Sequence, residues 1–233
     1  MTADPTATRT DRPIRTFHPR RGRLSTRHAE ATAGLWPRFG VTVTDGDRTP
    51  LDLDVLFGRV APRVLEIGFG MGEATAAMAV ADPGRDYLGI EVHTPGVGNL
   101  LAYVGDFGLT NVRVAVGDAM QLLHRLAPAS LDAVHVYFPD PWPKARHHKR
   151  RLIQPANVAL LCERLRPGAT LHCATDWAHY AQAMATVLDA EPRLANLYDG
   201  FAPRPEHRPV TKFEARAVRA GREIFDLIYR RSS

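Results

Sequence analysis

Three glycines and four acids in this chain are spaced so that they could do chemistry together. "LEIGFGMGE" sets Gly68, Gly70 and Gly72 between an apolar run and a helical segment that begins near Glu73. Glycines in such a place let the backbone turn tightly and approach a ligand closely. A plain β–α turn would look the same, so the turn alone decides little. The dinucleotide fingerprint G-x-G-x-x-G is not met, because Glu73 stands where its third glycine belongs. A glutamate at a helix start also repels a pyrophosphate, which seeks the positive end of the helix. The turn suits a nucleoside ligand that carries no phosphate.

The acids narrow that ligand. Glu66 lies two residues before the first glycine, Glu91 closes "YLGIEVH", and Asp118 closes "VAVGDA". Each alone reads as a solvated strand-end acid. Three at successive strand ends beside a glycine turn form a constellation suited to S-adenosylmethionine. Glu66 would lie near its cationic part, Glu91 would take the ribose hydroxyls, and Asp118 would accept from the adenine amino group.

The second constellation is "YFPDPWPKARHHKRR". Pro139, Pro141 and Pro143 restrict the backbone around Asp140, since proline fixes its own φ and limits the residue before it. Five cations and two histidines follow within eight residues. A charge run is usually a solvated loop. Directly beside a rigid carboxylate, it is also suited to the phosphates of a polyanionic partner. Trp142 reads as packing for the turn rather than as a platform for a base. His147 and His148 are adjacent and lack further ligands nearby, so no metal site is predicted.

These groups need elements to hold them. Strands are predicted over 63–68, 86–92, 112–117, 131–138 and 169–175, with "EIFDLIYRR" as a last strand. Amphipathic segments alternate with them: "EATAAMAVA", "AMQLLHRLA", "VALLCERLRPG" and "AHYAQAMATVLDA". That alternation means βαβ units and a parallel sheet covered on both faces, with ligands outside the carboxyl ends of the strands. Residues 1–13 read as a flexible tail, 14–50 as a basic N-terminal extension and 51–233 as the catalytic domain. "TKFE" has capping-box spacing at Thr211 and Glu214, and Asp176 stands where it could cap the helix beginning at Trp177.

At 233 residues the chain can bury one sizeable core. Its net charge of +5 points weakly to a polyanionic partner. Eight arginines against three acids between residues 1 and 39 point the same way. No apolar run reaches a membrane-spanning length, and the first thirty residues hold no secretory h-region, so a cytoplasmic protein is predicted. Cys162 and Cys173 lie in apolar stretches and read as small buried residues, with a disulfide left open.

With "EIGFGMG", "GIEVH", "GDA" and "YFPDPWPKARHHKRR" in this order, the chain closely resembles the bacterial tRNA (guanine-N7-)-methyltransferase family. "IRTFHPRRGRLSTRH", "CATDWAHYA" and "RPVTKFEARA" add to the resemblance, which covers roughly residues 14–231. It implies a Rossmann-like α/β fold, a seven-stranded and mostly parallel sheet whose C-terminal strand is antiparallel. It implies methyl transfer from S-adenosylmethionine to N7 of a guanosine in the tRNA variable loop, by a monomer. Carried over by position, Glu66, Gly68, Gly70, Gly72, Glu91, Asp118, Ala119 and Asp140 would hold the cofactor, Asp140 being also the catalytic residue. Lys144, Asp176, Thr211, Lys212, Phe213 and Glu214 would meet the substrate. Arg146, His147, His148, Lys149, Arg150 and Arg151 would contact the RNA. Ala145 and His148 depart from the family's usual residues, both at the RNA edge. The rival reading is a methyltransferase of the same fold acting on a small molecule or a protein nitrogen.

Overall fold

Short apolar runs separated by amphipathic segments assemble here into one sheet. In the computed structural model, which describes residues 15–17 and 22–233, that sheet has eight strands. They are β1 (Gly40–Thr42), β2 (Arg63–Ile67), β3 (Asp86–Glu91), β4 (Val112–Val116), β5 (Leu131–Tyr137), β6 (Leu165–Thr175), β7 (Leu194–Asn196) and β8 (Phe225–Arg231). Their order is β1-β4-β3-β2-β5-β6-β8-β7, and only β8 runs antiparallel to its neighbours.

Strands β2 to β8 make up the seven implied by the resemblance. The eighth, β1, comes from the segment read as a basic extension. Val41 and Val43 are buried, and pairing Gly40–Thr42 with Val114–Val116 covers the open edge of β4. The same segment supplies α1 (Thr26–Phe39), whose Ser25 side chain accepts from the His28 N–H. The tail predicted over residues 1–13 lies outside the described residues.

The period-2 alternation of the central strands sorts side chains onto two faces. Leu65, Ile67, Val134, Val136, Leu171 and Cys173 build one apolar core. It is covered by α2 (Leu53–Phe57), α5 (Ala119–Leu123), α6 (Pro155–Arg164) and α7 (Ala178–Asp189). Val64, Tyr87, Val114, Ala133 and Tyr137 face the other way, under α1, α3 (Glu73–Ala81) and α4 (Thr94–Asp106). Glu66, His135 and His172 alternate with the first core's residues, so they too belong to this second face. Helix α8 (Lys212–Arg219) is linked to this face through Arg208, which pairs with both Glu214 of α8 and Asp226 of β8. Cys162 and Cys173 are buried free thiols, and burial pushes them up to about 11 and about 12. No described helix is long and apolar enough to cross a membrane.

Helix α4 was not legible in the sequence, because Gly96, Gly98 and Gly105 lower its intrinsic propensity. Its glycines serve packing. A Cβ on Gly96 would overlap the carbonyl oxygen of Gly70, so only glycine lets α4 reach the glycine turn. Gly72, at φ 77°, faces the same helix, and a Cβ there would lie 2.6 Å from that of Leu100. Gly96→Ala should lower the melting temperature and abolish ligand binding at the turn. Gly34→Ala, in α1 with open space around it, should be neutral or stabilise by about 0.5–1 kcal/mol. Thermal melts of the two variants check this.

Candidate active site

At the carboxyl ends of β2, β3 and β5 lies a cavity of about 400 Å³. Pockets for small ligands fall in this size range. Gly68, Gly70 and Gly72, at φ 77°, 61° and 77°, form its floor, and Glu66, Glu91, Gly117, Ala119 and Asp140 also line it. Most of the predicted cofactor residues are thus brought together.

Glu91 fixes the turn as well as facing the cavity. Its Oε2 accepts from the Gly70 N–H at 2.9 Å, and Oε1 from the Val92 and His93 N–H groups at 2.6 and 3.0 Å. A carboxylate has about four acceptor directions, so capacity remains for a hydroxyl. Asp118 is the N-cap of α5, accepting from the Met120 N–H at 2.8 Å. Its neighbours Gly117 and Ala119 reach the cavity wall, while Asp118 is not among the lining residues. Burial raises its carboxyl above the ordinary value, against the Met120 hydrogen bond.

Glu66 is 3% exposed, and its Oε2 accepts from the Thr75 hydroxyl at 2.7 Å. Burial raises its carboxyl to about 7; the Thr75 hydrogen bond opposes the rise and the Glu91 charge adds to it. Among the described residues no cation offsets the loss of water.

The Asp140 turn is held from beneath. Phe138 and Trp142 both have left-handed backbones, at φ 53° and 46°, a conformation uncommon for bulky residues. Phe138 N–H donates to the Ala174 carbonyl at 2.8 Å, tying the start of the turn to β6. Trp142 is 3% exposed, in keeping with packing, and the Arg150 guanidinium lies 5.1 Å from its ring centroid. Arg151, predicted to contact RNA, is buried instead. Its Nε donates to the Pro141 carbonyl at 2.9 Å, and its guanidinium lies 4.6 Å over the Tyr180 ring. Charge pattern alone could not distinguish this arginine from its neighbours. Residues 145–150 form a 3₁₀ turn on which Arg146 and Lys149 are exposed, as is Lys144 at its N-cap. His147 and His148 are half-buried there.

The C-terminal candidates divide. Thr211, Lys212 and Phe213 line the cavity, and Lys212 pairs with Glu73 at the start of α3. Arg216 also lines it, four residues after Lys212 on one helix face. Glu214 is not a lining residue. Half of the capping box forms, with Thr211 Oγ1 accepting from the Glu214 N–H at 3.0 Å, but the Glu214 carboxylate turns inward to Arg208. Asp176 does not cap α7, whose N-cap is Trp177. It pairs with Arg222 at 3.0 Å, outside the cavity lining. Thr16, Phe17 and Tyr137 line the cavity without having been singled out in the sequence.

Behind Tyr137 lies a buried polar network. The Tyr137 hydroxyl is 3.0 Å from His172 Nδ1, and His172 Nε2 is 2.7 Å from Asp226 Oδ1. Burial would raise Asp226, but hydrogen bonds from His172 and Arg208 bring it below the ordinary value. An ionised Asp226 requires the proton on Nε2, so Nδ1 accepts from the tyrosine. Burial lowers His135, His172 and His207, keeping the imidazoles neutral. Their ring nitrogens lie within 4.8 Å of one another, yet both nitrogens of His172 are already engaged.

A glycine turn, strand-end acids and a cavity outside the carboxyl ends of a mostly parallel sheet define a Rossmann-like methyltransferase. The fold is similar to that of the 16S rRNA methyltransferase KamB, with a TM-score of 0.58 and 18% identity over 81% of this chain and 98% of that one. A family model described as "Putative methyltransferase" matches residues 60–227. Over 94% of its length this chain is 57% identical to the tRNA (guanine-N(7)-)-methyltransferase of Burkholderia vietnamiensis, covering 86% of that protein. It is 55% identical to the one of Nitrosospira multiformis, covering 95% of it. The chain belongs to the tRNA (guanine-N(7)-)-methyltransferase family.

The raised Glu66 carboxyl carries a sign that can be tested. Its protonated form is favoured in the folded state, so the stability it contributes is full below the unfolded value of 4.5 and falls as pH rises through about 7. Complete ionisation of this buried carboxyl costs on the order of 3 kcal/mol. Glu66→Gln imitates the neutral acid, so its melting temperature relative to the parent should rise between about pH 5 and pH 8. A difference that stays flat with pH would show that Glu66 is already ionised at the lower end.

Proposed function

We propose that the protein transfers a methyl group from S-adenosylmethionine to N7 of a guanosine in the variable loop of tRNA. The observation that carries this reading is the shared cavity: the glycine turn and Asp140 line one space, and exposed cations follow Asp140 directly in the chain. S-adenosylmethionine supplies an electrophilic methyl group on a sulfonium. The residues fit such a donor, since Glu73 at the start of α3 disfavours phosphate and Glu66 offers a buried acid with no cation beside it among the described residues. Glu66 would ionise against the donor's positive charge, and Glu91 would take the ribose.

Guanine N7 has an in-plane lone pair and no proton at neutral pH, so its methylation needs no strong general base. It needs placement, and Asp140 in a turn restrained by three prolines provides a fixed carboxylate for that. As positive charge moves onto the purine, the same carboxylate stabilises it in a water-poor cavity. Lys144, Arg146 and Lys149 stand outside the cavity and would bind RNA phosphates, giving affinity and register. We place the protein in the cytoplasm, where unmodified tRNA is found.

The decisive assay is transfer of labelled methyl to unmodified tRNA transcripts, followed by chemical cleavage at 7-methylguanosine. Cleavage in the variable loop, lost when its guanosine is changed to adenosine, is the expected result. Label on free nucleoside but not on tRNA would point to a small-molecule enzyme. Asp140→Asn should retain tRNA and donor binding and lose at least about a hundredfold in kcat, the size of a lost electrostatic stabiliser.

Replacing Lys144, Arg146 and Lys149 together with alanine should weaken tRNA binding about tenfold or more. It should also flatten the dependence of that binding on salt, because fewer counterions are released. Donor affinity, measured by calorimetry, should stay unchanged.

A further inference from the structure

Helix α8 brings Lys212, Phe213 and Arg216 to the cavity, yet little apolar surface holds it there. Of its residues only Glu214 and Ala217 are buried, while Phe213 and Val218 are more than half exposed. The Phe213 ring stands over the glycine turn, 3.8 Å from where a Cβ on Gly70 would be. Across the cavity mouth the Lys212–Glu73 pair is solvent-exposed on the lysine side, and exposed pairs hold weakly. The strong attachment is elsewhere. Arg208 is 0% exposed and donates to Asp226 through Nε and Nη2 at 2.9 and 2.8 Å. Its Nη1 donates to Glu214 at 2.5 Å and its Nη2 to the other Glu214 oxygen at 3.3 Å.

We infer that Arg208 is a positioning residue: it holds α8 over the glycine turn by gripping Glu214, and is itself locked to the sheet by Asp226, His172 and Tyr137. Two acids on one guanidinium satisfy a buried cation, and the forked geometry fixes distance and angle together. Glu214 acts from beneath the helix and touches neither donor nor RNA. Its influence on catalysis passes through the placement of Lys212, Phe213 and Arg216. The catalytic side of this inference rests on the function proposed above; the placement of α8 does not.

Hydrogen exchange on the protein without tRNA separates the two. In Glu214→Gln the amides of residues 212–219 should exchange at least tenfold faster than in the parent, with β2 and β5 unchanged. With tRNA, KM should rise at least fivefold and kcat should fall, whereas a simple loss of folded protein would lower kcat alone. Arg208→Lys should behave similarly, and the double variant should be no worse than the worse single one. Should Arg208→Lys fail to fold, Glu214→Asp, which keeps the charge but shortens the reach, should give intermediate exchange. Parent-like exchange in α8 combined with lost activity, or losses that multiply in the double variant, would overturn the inference and return Glu214 to direct substrate contact. A parent protein inactive on tRNA would sink the functional reading while leaving the exchange result standing.

Discussion

A buried charge must be compensated, and on the second face of this sheet that constraint shapes everything near the cavity. Apolar packing covers this face from β4 to β5 and then gives way to Arg208, His172, Asp226 and Glu214. Removing such groups from water is costly unless each finds a partner. Arg208 finds two carboxylates, Asp226 finds His172 and Arg208, and His172 stays neutral between Asp226 and Tyr137. Glu66 lies on the same face with no cation beside it among the described residues, and burial pushes its carboxyl up to about 7. A charge-paired cluster and a buried acid with a raised carboxyl therefore flank one cavity. The first fixes geometry, and the second is suited to a positively charged ligand.

The Asp140 turn shows the same economy of means in backbone form. Left-handed φ at Phe138 and Trp142 costs on the order of 1–3 kcal/mol each. Such a conformation persists only when its surroundings over-determine it. Here Ala174 holds one end, the buried Trp142 ring fills the space beneath, and Arg151 clamps the Pro141 carbonyl. The cation run after the turn is thus split in use. Arg150 and Arg151 brace the turn, whereas Lys144, Arg146 and Lys149 are exposed. A reaction that depends on placement more than on proton transfer benefits from a carboxylate so restrained.

Much of the fold was legible because its signals are local. The strands at 63–67, 86–91, 112–116 and 131–137 lie within a residue of their predicted spans, since short apolar runs bounded by polar turns have few alternatives. β6 begins earlier than predicted, at Leu165, because pairing with Leu131 overrides the apparent continuation of α6. α4 was hidden by its glycines, and β1 by the basic composition around it. Neither has a local signature, because each exists through what it packs against: Gly96 against Gly70, and Gly40–Thr42 against the edge of β4.

By itself the sequence determined the glycine turn, the acids that follow the strands and the proline-bound Asp140. These are features of backbone permission and chemical type, carried by the residues themselves wherever they fold. Only the tertiary structure decided which charges are free to meet a ligand. Glu214 and Asp176, alike in sequence as acids beside helix starts, end on Arg208 and Arg222, and Arg151 ends beneath Asp140. The reason is physical: a side chain's partner is set by register and burial across strands far apart in sequence. Asp226 lies 18 residues from Arg208 and 54 from His172, and only the sheet brings the three together.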